Sequence, residues 1–121
     1  MSHPKTILLV DDDQDILLVL QELLTEEGYT VQLANNGATA QSFLRQGLPD
    51  LIMLDMLISG TDGRELARQL KREPGTAAIP LLMISAHPNA EWEARAAGAD
   101  DFVAKPFEID ALLTKVAHTL G

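Results

Sequence analysis

The residues able to do chemistry stand at the ends of short apolar runs. Asp11, Asp12 and Asp13 follow directly on Ile7-Leu8-Leu9-Val10, and Asp55 closes Leu51-Ile52-Met53-Leu54. Ser85 follows Leu81 to Ile84, and Lys105 follows Phe102-Val103-Ala104. Carboxylates gathered in one place repel unless something positive sits among them, and their hard oxygens suit Mg²⁺. A carboxylate can also act as a nucleophile toward phosphorus, giving an aspartyl phosphate. That transfer asks mainly for positioning and for neutralisation of charge on the equatorial oxygens. A metal, a lysine and a hydroxyl are suitable tools for it.

Each residue taken alone also has a plainer reading. Acids that open a helix act as N-caps and favour its dipole, and Asp13 fits that role better than a site role. An aspartate after an apolar strand is as consistent with a turn as with a site. A lysine before proline is ordinarily a solvated charge, and a lone Ser-Ala pair carries no signal. It is the combination of Asp11, Asp12, Asp55, Ser85 and Lys105 at successive strand ends that points to one site. Trp92, the only tryptophan, reads as a surface residue, and His3 and His118 as solvated histidines.

Positioning these residues requires a strict alternation of elements. Residues 6–10, 29–34, 51–54, 81–84 and 102–104 read as strands, most of them apolar on both faces. The second has Thr30 and Gln32 alternating with Val31 and Leu33, which suggests an edge. Helices are predicted over about 14–27, 37–46, 64–72, 89–97 and 108–120, with Gly28 as the stop of the first. The first should bury Ile16, Leu20, Leu23 and Leu24. The second should bury Ala40, Phe43 and Leu44. The last should bury Ile109, Leu112, Leu113, Val116, Ala117 and Leu120. Ser59-Gly60-Thr61-Asp62-Gly63 reads as loop. Five βα units imply a doubly wound α/β three-layer sandwich, a parallel sheet with helices on both faces. Ligands in such sheets bind beyond the carboxyl ends of the strands, where the strand order reverses. That is where the acids, the hydroxyl and the lysine fall.

Bulk properties set the limits. The chain has 121 residues, the size of one domain, and 46% hydrophobic content, too apolar for a disordered chain. There is no cysteine, which excludes a disulfide framework, a thiolate metal site and a cysteine nucleophile. Nine Lys+Arg against eighteen Asp+Glu give a formal charge of −9, which argues against the domain itself gripping nucleic acid. The longest apolar run is Ile16-Leu17-Leu18-Val19-Leu20, too short to span a membrane, and no signal-peptide core follows Met1-Ser2-His3-Pro4-Lys5. One domain over 1–121, without an output domain and acting in the cytoplasm, is the expectation.

Taken in order, Ile7 to Asp13, Pro49 to Asp55, Ser85-Ala86, Gly98-Ala99-Asp100-Asp101-Phe102 and Lys105-Pro106-Phe107 resemble the receiver domain of two-component response regulators, including single-domain chemotaxis regulators. The resemblance spans nearly the whole chain. It implies a flavodoxin-like (βα)5 fold with strand order 2-1-3-4-5. It implies that Asp55 accepts the phosphoryl group, becoming 4-aspartylphosphate. Asp11, Asp12, Asp55 and the backbone carbonyl of Leu57 would hold Mg²⁺, with Mn²⁺ as a substitute, and Asp12 would be the direct ligand where Asp11 works partly through water. Lys105 would pair with Asp55 and then with the phosphoryl group. Ser85 would swing in to bond a phosphoryl oxygen, Phe102 would change rotamer with it, and Pro106 would follow a cis peptide bond. The donor would be a sensor histidine kinase or histidine phosphotransfer protein, and the output a contact with a downstream target protein.

Two departures from the family pattern stand out. Ser59 occupies a position where proline is usual, and the stretch from Ser85 to Gly98 is about two residues short, roughly half a helical turn. Leu57 and His87 are expected to tune phosphoryl lifetime, Leu57 by impeding water and His87 by shielding or titrating. The rival enzymatic reading is a Mg²⁺-dependent aspartyl-phosphate phosphohydrolase. Such an enzyme wants a second acid two residues after its nucleophile, where this chain has Leu57. The rival non-catalytic reading is a degenerate receiver serving as a binding module, which the retained Asp11, Asp12, Asp55, Ser85 and Lys105 oppose.

Overall fold

The computed structural model describes residues 4–58, 61–87 and 89–121, with Thr61 in backbone only. The expectations for His3 and Ser59 lie outside the described residues. Chain order is β1 (Thr6–Val10), α1 (Gln14–Glu26), β2 (Thr30–Ala34), α2 (Gly37–Gln46), β3 (Leu51–Asp55), β4 (Leu57–Ile58), β5 (Thr61–Asp62), α3 (Gly63–Arg72), β6 (Leu81–Ser85), α4 (Ala90–Ala96), β7 (Asp101–Ala104) and α5 (Ile109–Leu120).

β1, β3 and β6 are almost wholly buried and carry Ile, Leu, Val and Met on both faces. Runs of that kind cannot alternate between core and solvent, so they occupy the middle of a sheet covered on both sides. The sheet is parallel, in the order β2-β1-β3-β6-β7. Counting only its five strands, this is the expected 2-1-3-4-5, with β2 on the edge. Leu8, Val10, Ile52, Leu54 and Met83 face α2, α3 and α4, while Ile7, Leu9, Met53, Leu82 and Ile84 face α1 and α5. The strand order reverses at β1, so the carboxyl ends of β1 and β3 lie side by side at the switch point. Val10 is in register with Leu54, and Asp11 and Asp55 are each the next residue.

Local chemistry sets the helix boundaries. Asp13 caps α1, its side chain accepting from the Asp15 and Ile16 amides, as anticipated. Gly28, with φ of +95°, closes that helix in a conformation that costs other residues strain. Asn36 caps α2 through the Thr39 amide. Asp62 caps α3 through the Arg64 amide. The Lys105-Pro106 peptide bond is cis.

Three expectations need correction. Residues 61–63 are not loop: Leu57–Ile58 pairs antiparallel with Thr61–Asp62, and α3 already starts at Gly63. Two-residue strands leave no periodicity to read. In α1 the buried centre is Leu17, Leu20 and Leu24, with Ile16 and Leu23 flanking, so the stripe lies one residue round from the predicted one. In α5, Leu112 and Val116 are buried, with Leu113 and Leu120 at the flanks, whereas Ile109 and Ala117 are exposed. α5 rests on β6 and β7 at the sheet's edge, and that contact is satisfied by a narrower stripe. Trp92 is 77% exposed on α4, a surface residue as expected. His118 is exposed too.

Candidate functional site

The carboxyl ends of β1 and β3 bring three acids together. Asp11, Asp12 and Asp55 each offer a carboxylate oxygen, and these oxygens all lie within 4.8 Å of one another. Their environments differ. Asp11 is 1% exposed and Asp55 8%, whereas Asp12 is open to solvent. Asp11 is held at both oxygens: Oδ1 accepts from the Asp13 amide at 2.9 Å, and Oδ2 from Lys105 Nζ at 3.0 Å. Lys105 Nζ lies 3.5 Å from Asp55 Oδ1, so one ammonium serves two buried carboxylates and sits nearer to Asp11.

The charge balance is visible in the ionisation of the site. Burial pushes the Asp55 carboxyl up to about 6, and the negative charge of Asp11 adds to the rise. Lys105 opposes it without cancelling it. Burial alone would lower the Lys105 ammonium, but the hydrogen bond to Asp11 and the charges of Asp11 and Asp55 hold it above its ordinary range. Two buried carboxylates and one lysine leave a net negative site that a divalent cation would relieve. The donors are hard oxygens, two from buried and one from exposed carboxylates, which suits Mg²⁺ better than a softer metal.

Over these groups opens a pocket of about 410 Å³ lined by Asp55, Leu57, Ser85, Ala86, His87 and Lys105. Of the sequence-selected residues, Asp55, Leu57, Ser85, His87 and Lys105 line it, Asp11 and Asp12 cluster with Asp55, and Phe102 is not among the lining residues. Ser85 ends β6 and its Oγ accepts from the His87 amide at 3.0 Å. Leu57 is 63% exposed at the rim, and Phe102 is buried in β7. A hollow of about 340 Å³ lies at the opposite, amino end of β6 and β7, but its lysine, Lys71, is committed to Ile79 O and Asp100.

Sequence reasoning missed two parts of this architecture. Gly63 lies against the end of β3: a Cβ there would stand 2.2 Å from the Asp55 carbonyl oxygen and 2.8 Å from that of Met56. Only glycine allows α3 to start so close to the strand that carries Asp55. The second is Arg64. Its Nε and NH2 grip both oxygens of Asp62 at 3.0 and 2.9 Å, and its NH1 reaches Glu93 on α4. The hydrogen bonds from Arg64 hold the Asp62 carboxyl below its usual range, and Asp62 and Glu93 together raise the guanidinium. Nothing in the sequence places residues 64 and 93 side by side. A glycine just after the capping Asp62 was the one available hint of the first.

A doubly wound sheet with an acidic cluster, a hydroxyl and a lysine at its switch point defines a class: domains that take up phosphoryl groups on an aspartate. The sequence matches the response regulator receiver domain family over residues 7–117. It is 36% identical over 116 residues to the phosphate regulon transcriptional regulatory protein PhoB of Rhizobium meliloti (strain 1021), covering 94% of this chain and 51% of that protein. It is 38% identical over 116 residues to the DNA-binding dual master transcriptional regulator RpaA of Synechocystis sp., covering 94% of this chain and 48% of that protein. The chain thus spans about half the length of these curated relatives. The crystal structure of a candidate response regulator from Chloroflexus aurantiacus J-10-fl superposes with a TM-score of 0.92 at 35% identity, covering 97% of this chain and 98% of that one. This chain belongs to the response regulator receiver domain family of two-component systems, whose members accept a phosphoryl group and signal.

Proposed function

We propose that Asp55 is the phosphoacceptor of this domain and that its phosphorylation by a histidine kinase or histidine phosphotransfer protein shifts the domain between two conformations. The observation that carries this reading is the convergence of three carboxylates within 4.8 Å with Lys105 bridging the two buried ones. A carboxylate oxygen of Asp55 bonds to phosphorus as the phosphorus–nitrogen bond of the donor phosphohistidine breaks, and the imidazole leaves with the electron pair. Lys105 then pairs with the new phosphoryl oxygens. The Ser85 hydroxyl turns from the His87 amide to donate to another, and Phe102 follows with a rotamer change. Water later attacks phosphorus, returning Asp55 and inorganic phosphate.

Asp11, Asp12, Asp55 and the Leu57 carbonyl would hold Mg²⁺, or Mn²⁺ in its place. Of the three acids, Asp12 is the exposed one and suits direct ligation, while both oxygens of Asp11 already accept hydrogen bonds. When bound, the ion supplies positive charge to the transferring phosphoryl oxygens. Leu57 and His87 line the pocket and set how readily water enters. The domain catalyses only its own phosphorylation and dephosphorylation, works in the cytoplasm, and signals by contact with a target protein rather than by gripping nucleic acid. Among the described residues no helix is long and apolar enough to cross a membrane.

The test is Mg²⁺ with beryllofluoride or a small acyl phosphate, followed by mass measurement and NMR. Wild type should gain one phosphoryl mass from the acyl phosphate and shift resonances with either reagent, and Asp55→Ala should do neither. Absence of any Asp55-dependent change overturns the reading.

A further inference from the structure

Two anchors hold the first turn of α4, and they belong to different parts of the molecule. One runs from the active end of β6. The Ser85 hydroxyl accepts from the His87 amide at 3.0 Å, and the His87 carbonyl accepts from the Ala90 amide at 3.1 Å. The other runs from the β4–β5 hairpin. Asp62, opposite Leu57 in that hairpin, fixes Arg64 through two hydrogen bonds to its guanidinium, and Arg64 reaches Glu93. α4 has only seven residues and its N-cap, Asn89, makes no side-chain capping bond. These polar links therefore matter more here than they would in a long, well-capped helix.

Between the anchors lies a cavity of about 260 Å³ lined by Met56, Leu57, Arg64, Ser85, His87 and Glu93. It gives the His87 backbone and the start of α4 room to move. In the proposed switch, the Ser85 side chain turns to donate to a phosphoryl oxygen on Asp55, which carries its oxygen away from the His87 amide that it now accepts from. When it turns, the first anchor is released, while the second, fixed on the hairpin beside Asp55, stays.

We propose that Arg64, through Glu93, is the restraint that holds α4 in its present position, so that filling the Asp55 site works against this ion pair. The proposal rests on the reading of Asp55 as the acceptor. Arg64 and Glu93 are positioning residues: neither touches the reacting atoms. The pair is partly exposed, with about a third of each side chain accessible, so its restraint is modest.

The measurement is the affinity for beryllofluoride in the presence of Mg²⁺, followed by amide NMR and by the fluorescence of Trp92, which neighbours Glu93. Glu93→Gln removes the α4 half of the link while leaving Arg64 clamped by Asp62. It should tighten beryllofluoride binding about 2- to 5-fold, the range expected for a partly exposed ion pair. Glu91→Gln is the control. It removes the same charge from the same helix, but Glu91 pairs with Arg95 within α4, and its affinity should match wild type. Unchanged or weaker binding in Glu93→Gln overturns the proposal, as does an equal tightening in Glu91→Gln, which would mean a general charge effect. If wild type itself shows no binding that Asp55→Ala abolishes, the acceptor reading fails instead. Intact wild-type binding with an unmoved Glu93→Gln removes the α4 link alone.

Discussion

Replacing Asp55 with asparagine should make the metal-free domain more stable while removing its capacity to be phosphorylated. The carboxyl of Asp55 rises from 3.8 to about 6 on folding, chiefly because it is buried and secondly because Asp11 is beside it. At about 1.4 kcal/mol per pKa unit, holding Asp55 ionised in the folded state costs about 3 kcal/mol. The sign follows from proton uptake. Between pH 3.8 and about 6 the folded chain holds a proton that the unfolded chain has lost, so stability falls as pH rises through that window. The cost is absent below 3.8 and complete above about 6. Asparagine keeps the shape and sheds the charge, so the gain should be about 3 kcal/mol at pH 7 and about half of that at pH 5. Urea unfolding of both proteins in chelator, at pH 5, 6 and 7, measures it. Saturating Mg²⁺ should narrow the gap by stabilising wild type, since binding to the folded state adds stability. A variant no more stable than wild type at pH 7, or a gain independent of pH, would refute the electrostatic account of the site.

Leu57→Asn should hasten loss of the phosphoryl group by admitting ordered water at the rim; an equal or slower dephosphorylation rate, followed by released phosphate, would count against Leu57 as a shield. Gly63→Ala should destabilise the fold by at least the ~1–3 kcal/mol typical of overpacking, because the added carbon meets the Asp55 carbonyl at 2.2 Å. It should also weaken beryllofluoride binding, and normal values for both in the alanine variant would show that α3 can shift freely. Lys105→Met should leave Asp11 buried without its cation, lowering stability at pH 7 by about 1–3 kcal/mol. The same variant should slow phosphorylation from a small phosphodonor, read by mass over time.

The acids, the hydroxyl and the lysine were legible because each ends an apolar run, and a buried parallel strand can end only at the sheet's edge. For Asp55 that rule alone leaves a turn as open as a site, and it was the other polar residues at successive strand ends that decided between them. The relation between Lys105 and Asp11 needed tertiary information. Residues 11 and 105 are brought within 3.0 Å by the order of the sheet, which places β1 two strands from β7's inner neighbour, β6. The α1 stripe was displaced because the pattern of Ile16, Leu17, Leu20, Leu23 and Leu24 allows two overlapping faces. What chooses between them is where the sheet lies. The β4–β5 hairpin escaped because its strands are two residues each, shorter than any period.

The site also explains why local rules are broken where they are. A chain that sought only stability would not put Asp11 and Asp55 at 1% and 8% exposure within reach of each other, served by one lysine. Nor would it end α1 on Glu26 and Glu27 with no basic residue in the last turn, where the helix dipole disfavours acids. From Asp11 to Glu27 the sequence holds acids and no base. The first of these violations has a use under the proposed function: the uncompensated charge at Asp55 is relieved by a bound cation, and phosphorylation, which would add negative charge, would make that cation and Lys105 more necessary. The energy that destabilises the empty site is therefore the energy available to favour the filled one. A receiver whose Asp55 were comfortable when empty would gain less from binding a cation there.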